Sequence, residues 1–177
     1  MAYTVRRVRS DEWQAVRAIR LESLQDPDAH LAFLDTFEDA SARPDLFWQE
    51  RAANAATGGA VAHYVVVDDD GRWVGTATGL LEEPGSADFE GRPVEQRQVH
   101  VVGVWLNPGH RGRGLIQRAI DAVVEWAREQ GAERARLYVH ADNARARAAY
   151  LKDGFVPSGE AFEGSIGREE ELARPVS

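Results

Sequence analysis

The first third of the chain combines one strand-like pattern with two helix-like patterns. TVRRVR, residues 4 to 9, alternates apolar and charged positions as a short strand does. One face of a following helix carries Trp13, Val16, Ile19 and Leu24. Ser10 or Asp11 offers the N-cap oxygen for this helix. After a less periodic stretch, PDLFWQERAANAA predicts a second helix with Pro44 near its first turn.

Three strands are predicted in the middle of the chain. AVAHYVVVDDDGRWVGTATGLL, residues 60 to 81, contains two of them, and its DDDG segment supplies an Asp-Gly hairpin turn. The third strand is RQVHVVGVWL, residues 97 to 106. Between these segments, EEPGSADFEGRP is a long polar connection, and its length is typical of a functional loop.

The last part of the chain alternates helices and strands. Helical spacing relates Leu115, Ile116, Ala119, Ile120, Val123, Trp126 and Ala127. Gly131 is placed to end that helix, and the strand ARLYVH follows. Asp142 or Asn143 can cap the next helix, NARARAAYLKD, which Gly154 ends, and two closing strands follow. The predicted order, β-α-α-β-β-β-α-β-α-β-β, indicates an α+β fold of the α/β/α sandwich type, with a mixed central sheet flanked by helices.

Composition narrows the class of protein. The 177 residues are 44% hydrophobic and 28% charged, as expected for one globular domain spanning residues 1 to 177. The absence of cysteine excludes disulfides, thiolate catalysis and cysteine-ligated zinc. With no apolar run that could span a bilayer and no signal-peptide pattern, we expect a cytoplasmic protein without a membrane partner. The five histidines are scattered without paired ligand spacing, so we expect no metal.

Charge points to a small anionic ligand. The net charge of −8 argues against nucleic-acid binding, yet a basic, glycine-rich cluster lies in LNPGHRGRGLIQRAI, residues 106 to 120, where a strand turns into a helix. The glycines of this loop are Gly109, Gly112 and Gly114. Without β-carbons they let an anion approach free backbone N–H groups at the positive end of the helix dipole, and Arg111 and Arg113 add attraction. The alternative is a glycine-rich turn with solvated arginines.

Two motifs resemble those of the GNAT superfamily of N-acetyltransferases. Arg111-Gly112-Arg113-Gly114-Leu115-Ile116, after Leu106-Asn107-Pro108, resembles the family's acetyl-CoA loop, Arg/Gln-x-x-Gly-x-Gly/Ala. DNARARAAYLKDGF resembles its second motif, which it matches at Asn143, Ala146, Tyr150, Gly154 and Phe155. One departure is Ile116, which stands where the loop signature ends in a small residue. The resemblance covers about residues 98 to 156 and implies a GNAT-like sheet and acetyl-CoA as co-substrate.

The resemblance also implies roles for individual residues. The implied cofactor-binding set is Val104, Trp105, Leu106, Arg111, Gly112, Arg113, Gly114, Ile116, Gln117 and Asn143. The strand residues of this set would pair with the pantetheine arm as an added strand would, and the loop amides would hold the pyrophosphate. Asn143 would bond the pantetheine arm, or else serve as a helix N-cap. Tyr150 would protonate the leaving thiolate, or else only pack.

The reaction also needs a base, because an ammonium group is not nucleophilic until it loses a proton. His100 is the first candidate: it precedes Leu106 by six residues, so strand alternation predicts that both side chains face the same way. Its alternative role is that of a structural strand histidine. His140 is the second candidate, Glu82 and Glu83 are the third, and ordered water is the remaining option.

The leading hypothesis is an enzyme that transfers an acetyl group from acetyl-CoA to a primary amine of a small molecule or peptide. Since there is no cysteine to carry a cysteine-linked acyl-enzyme, we expect direct attack in a ternary complex. The alternative is a non-catalytic acyl-CoA-binding sensor. A homodimer is left open. The identity of the amine is not readable: acidity suits a cationic amine, whereas Arg92 and Arg97 in the long loop suit an amine that carries a carboxylate.

Overall fold

A computed structural model describes residues 1 to 177, which form one seven-stranded sheet and five α-helices. The strands are β1 (Thr4–Arg7), β2 (Val61–Val67), β3 (Trp73–Glu82), β4 (Gln98–Leu106), β5 (Arg134–His140), β6 (Val156–Gly164) and β7 (Gly167–Pro175). The helices are α1 (Trp13–Leu24), α2 (Phe37–Ser41), α3 (Asp45–Ala56), α4 (Leu115–Glu129) and α5 (Ala144–Lys152). Short 3₁₀ turns lie at Ala29–Leu31 and Pro108–His110.

The predicted order of elements is confirmed except for α2. This short helix lies in the stretch that lacked a clear period, and its N-cap Thr36 accepts a hydrogen bond from the Asp39 N–H. The predicted N-cap of α1 was wrong, because neither Ser10 nor Asp11 takes that place. Glu12 is the N-cap residue. Its carboxylate accepts the N–H of Arg9, which precedes the helix, and caps no N–H group of the helix itself.

Strand order in the sheet is β1-β2-β3-β4-β5-β7-β6. All neighbouring pairs are antiparallel except β4 and β5, which α4 connects as a crossover. This parallel pair is in register only from Gln98 to His100, opposite Arg134 to Arg136. Beyond His100 the two strands diverge, so one edge of the second half of β4 has no strand beside it.

A β-bulge interrupts β4 at Gly103. Val102 pairs with Thr78 and Trp105 pairs with Thr76, so two residues of β4 lie opposite one residue of β3. Gly103 has a φ of 61°, a conformation that glycine adopts readily. The extra residue reverses the alternation of side chains. The prediction that His100 and Leu106 share a face was therefore wrong.

Apolar side chains cover both faces of the sheet. On one face, Val99, Val101 and Leu106 of β4 pack with α4 in the larger core. On the other face, Trp105 packs with α1, α2 and α3 in the smaller core, where Trp48 is completely buried. Because each sheet face is covered by helices, the predicted α/β/α layering is confirmed. No helix of the chain has both the length and the apolar character to cross a membrane.

Candidate active site

A cleft of about 440 Å³ lies where β4 diverges from β5. The start of α4 lines one side and α5 lines the other. The predicted cofactor-binding residues that line it are Val104, Trp105, Leu106, Arg111, Gly112, Gly114, Ile116, Gln117 and Asn143. Arg113 is not among the lining residues, because its guanidinium turns to the Tyr3 hydroxyl. The fold thus gathers two distant motifs around one cleft.

The glycine loop exposes backbone donors at one end of this cleft. Gly112 and Gly114 have φ values of 81° and 70°, and a β-carbon added to either would meet no atom within 4 Å. No N–H group from Gly112 to Gln117 donates to a protein acceptor. Gly114 is also the N-cap residue of α4 and gives the helix no side-chain cap. Free donors at the positive end of a helix dipole are suited to an anion such as a pyrophosphate.

Asp26 holds two residues of this cleft and was missed in the sequence. Its Oδ2 accepts hydrogen bonds from Trp105 Nε1 and from Arg111, each at 3.0 Å. Burial raises the pKa of Asp26, but hydrogen bonds from the Asp28 N–H, Trp105 and Arg111 outweigh it, so the pKa lies below its usual value. A charged carboxylate therefore fixes the first arginine of the loop. In the sequence, Asp26-Pro27 has the pattern of an ordinary turn after a helix.

Asn143 has the position expected of both roles considered for it. It is the N-cap residue of α5, and its Oδ1 accepts the Ala146 N–H at 3.3 Å. Its side chain also lines the cleft. Since the cap uses only the oxygen, the amide N–H groups remain available as donors.

Tyr150 lies where two clefts meet. It lines the first cleft and also a second one of about 570 Å³, along with Phe33, Val104 and Asn143. Tyr150 is 9% exposed, and its hydroxyl is absent from every hydrogen bond within the protein. Burial raises the pKa of Tyr150 to about 12, although the charge of Arg145 acts in the opposite direction. A phenol with this pKa stays protonated at neutral pH and can act as a proton donor.

The second cleft lies over the face of the sheet that carries α1 and α3. Of the base candidates, His100 lines it, whereas His140, Glu82 and Glu83 do not. His140 accepts the Asp142 N–H through Nδ1, and Glu83 pairs with Arg97. The fold therefore brings His100, but not the other candidates, to the same cleft as Tyr150.

Glu82 orients the imidazole ring of His100 through its Nδ1 atom. Nδ1 of His100 lies 3.3 Å from Glu82 Oε2. Burial raises the pKa of Glu82, but the hydrogen bond with His100 and the charges of His100 and Arg136 lower it more, so Glu82 is a carboxylate. Because a carboxylate only accepts, Nδ1 carries a proton and Nε2 is left as the basic nitrogen. Burial, opposed by the Glu82 hydrogen bond, lowers the pKa of His100, so the ring is neutral near pH 7.

A network of charged groups surrounds Glu82. Ligand atoms of Glu82, Asp88 and His100 lie within 4.8 Å of one another, a spacing that metal ligands can have. Arg136 donates to both carboxylates at 2.9 Å, so a guanidinium cation already neutralises this group. The expectation that no metal is used stays a prediction.

Three further residues of the second cleft were missed in the sequence. They are Arg20, Arg51 and Glu169. Oε2 of Glu169 is buried without a hydrogen-bond partner, and burial together with the charge of Glu90 raises the pKa of this carboxyl. The alternation in the REEELA segment of β7 could have identified an inward-facing glutamate. No local pattern could have identified the arginines.

Comparison with known sequences agrees with this geometry. The model of the Acetyltransferase (GNAT) family matches residues 13–155. A mycothiol acetyltransferase from Beutenbergia cavernae is 38% identical over 92 residues, which are 52% of this chain and 28% of that protein. A mycothiol acetyltransferase from Saccharomonospora viridis is 37% identical over 92 residues, or 52% of this chain and 29% of that protein. The matched segment is thus less than a third of the relatives' own length.

Solved structures share the fold. An acetyltransferase of the GNAT family from Streptococcus pneumoniae superposes with a TM-score of 0.77 at 15% identity, covering 98% of this chain and 99% of that chain. A GNAT superfamily phosphinothricin acetyltransferase from Sinorhizobium meliloti, solved in complex with AcCoA, gives a TM-score of 0.70 at 17% identity over 99% and 89% of the two chains. The predicted fold class is confirmed.

Proposed function

Because the chain belongs to the GNAT acetyltransferase family, we propose that it transfers an acetyl group from acetyl-CoA to a primary amine of a small molecule or peptide. Residues 1 to 177 act as one catalytic domain in this proposal. The observation that carries it is the position of Tyr150, which lines both clefts and whose hydroxyl makes no hydrogen bond within the protein. One cleft takes the acetyl donor, and the other takes the amine.

The residues of the first cleft fit acetyl-CoA. The free N–H groups from Gly112 to Gln117 are suited to its pyrophosphate, and the open edge of β4 near Val104 is suited to the amides of its pantetheine arm. Acetyl-CoA supplies the acetyl group and a thiolate leaving group. With its pyrophosphate bound at the glycine loop and its pantetheine arm along the open edge of β4, acetyl-CoA would place its thioester near Tyr150.

His100 and Tyr150 divide the proton transfers. His100 accepts a proton from the amine through Nε2 as the amine nitrogen bonds to the acetyl carbon. Tyr150 donates a proton to the sulfur as the carbon–sulfur bond breaks. Transfer is direct within a ternary complex, since the chain contains no cysteine to carry the acetyl group as a thioester.

A thermal-shift titration with acetyl-CoA, followed by a thiol-release assay with a panel of amines, tests this proposal. Binding should raise the melting temperature by mass action, and at least one amine should release the thiol. Absence of a shift at millimolar acetyl-CoA, in protein free of bound CoA, would contradict the cofactor site. A shift without turnover of any amine would favour the acyl-CoA sensor instead.

A further inference from the structure

Two arginines of the second cleft have no partner. The guanidinium groups of Arg20 and Arg51 take part in no hydrogen bond or ion pair of the protein, although both residues line the cleft. Nε of Arg20 is sealed from solvent and lacks an acceptor. A guanidinium usually loses its hydration only where an anion or carbonyl replaces the water. The sealed Arg20 Nε, with the guanidinium of Arg51 also lacking an acceptor in the same cleft, indicates a ligand group that supplies acceptors.

Aromatic rings hold both guanidinium groups in place. Arg20 lies over the ring of Phe33, with its Cζ 4.7 Å from the ring centroid, and Phe33 lines both clefts. Arg51 lies 5.8 Å from the centroid of Phe47 and 5.7 Å from that of Trp48. Stacking on a ring face fixes the plane of a guanidinium and leaves its N–H edge free to donate.

Arg20 is also close to the reaction centre. Its Nη1 lies 4.0 Å from where a β-carbon of Gly103 would be, within the bulge of β4. Val104, the next residue, lines both clefts together with Tyr150. An anion bound by Arg20 would thus lie in the same cleft as an amine that reacts beside Tyr150.

The charges around these arginines are not balanced by nearby acids. Burial, reinforced by the charge of Arg51, lowers the pKa of Arg20 to about 10, so it remains a cation at neutral pH. Burial and the charge of Arg43 lower the pKa of Arg51 as well. Asp35 is the acid whose charge reaches both, but it is held by Arg43 at 2.6 Å. Positive charge is therefore in local excess around these two guanidinium groups, although Glu50, Glu90 and Glu169 also line the cleft.

We infer that the acceptor amine carries an oxyanion, a carboxylate or a phosphate, which Arg20 and Arg51 bind in the second cleft. This inference rests on the proposed function and adds a substrate class to it. The loop arginines named from the sequence are occupied: Arg92 pairs with Glu160, and Arg97 pairs with Glu83 and with the Gln130 carbonyl. Recognition of an acid group falls instead to two helices far apart in the sequence.

Matched substrates test this inference by turnover. Primary amines are assayed in pairs, each as the free acid and as its uncharged amide, with a phosphate-bearing amine as a further member. Acids should exceed their amides in kcat/KM by about 10- to 100-fold. Arg51→Gln and Arg20→Lys should reduce this preference mainly through KM, while Arg97→Gln, which removes an arginine outside both clefts, should retain it. Amides equal to or better than acids would overturn the inference.

Binding gives a readout that does not depend on turnover. In ¹⁵N-edited spectra of the arginine side chains, acetate or inorganic phosphate at tens of millimolar should shift the Nε resonance of Arg20 and leave that of Arg97 unchanged. Equal shifts in both, or none, would overturn the inference. Failure of the proposed function looks different: acetyl-CoA would neither raise the melting temperature nor release thiol, whatever the anions do to Arg20.

Discussion

The guanidinium of Arg111 lies 3.0 Å from Oδ2 of Asp26, the same oxygen that accepts the indole N–H of Trp105. One carboxylate therefore ties the loop before α4 to the end of β4. Trp105 is only 7% exposed, so its N–H has little access to water if that carboxylate is lost.

Asp26→Ala should lower the free energy of unfolding by about 1–3 kcal/mol, because it leaves a buried indole N–H without an acceptor. Asp26→Asn keeps an oxygen in place and should cost less. Chemical denaturation of the two variants beside the wild type measures the difference. Equal losses in both would mean that the hydrogen bond to Trp105 contributes nothing.

Gly114→Val should abolish acetyl-CoA binding, because a side chain would enter the space in front of the loop amides. Gly71→Val is a matched control: Gly71 also has a positive φ, of 81°, and open space around its β-carbon position, but it lies in the β2–β3 turn. Both variants should lose stability from backbone strain. The acetyl-CoA thermal shift should persist only in Gly71→Val, and its persistence in Gly114→Val would leave the loop as a simple turn.

His63 should make the fold sensitive to mild acid. Burial, followed by the charges of Arg51 and Arg20, lowers its pKa to about 3, whereas a histidine of the unfolded chain titrates near 6.5. Between these values the unfolded state binds one more proton, so stability falls as the pH falls, by up to about 1.4 kcal/mol per pH unit.

His63→Gln removes this proton and retains a polar partner for Thr76, which contacts His63. The free energy of unfolding, measured between about pH 6.5 and 5, should decline less steeply in the variant. Ordinary carboxyl groups titrate below this pH range. His100 is present in both proteins, so its contribution cancels in the comparison. If the free energy of unfolding falls equally steeply in both proteins, His63 takes up its proton in the folded protein as it does in the unfolded chain.

The sequence predicted the local elements better than their contacts. Helix α4 could be predicted because its apolar positions repeat at one spacing and Gly131, with a φ of 73°, ends it. The face of the sheet on which His100 lies could not be predicted, because the bulge in β4 depends on how that strand pairs with β3. Gly103 within a strand pattern was the available signal for it.

The free donors of the glycine loop could be predicted because they are contiguous in the chain, from Gly112 to Gln117. The second cleft could not be, since Arg20 and Arg51 come from α1 and α3 and meet only through packing on aromatic rings. Asp26 was missed for the same reason: its partners Trp105 and Arg111 are distant in the sequence.

His100→Gln should lower kcat about 10²-fold near neutral pH if His100 is the base. The loss should be partly relieved at high pH, where the amine deprotonates by itself. His140→Gln is the control, because His140 lines neither cleft, and it should leave kcat nearly unchanged. A pH-independent loss in His100→Gln would identify a structural histidine.

In the proposed reaction Tyr150 protonates the thiolate that acetyl transfer to an amine releases, and this role is measured by kcat of Tyr150→Phe. The variant keeps the ring beside Phe155 and removes only the hydroxyl, so stability and the acetyl-CoA thermal shift should be retained. With an amine that the wild type acetylates, as verified by the mass of the product, kcat should fall by about 10²- to 10⁴-fold. Unchanged kcat in Tyr150→Phe, with acetyl-CoA bound as in the wild type, would show that Tyr150 is not the proton donor.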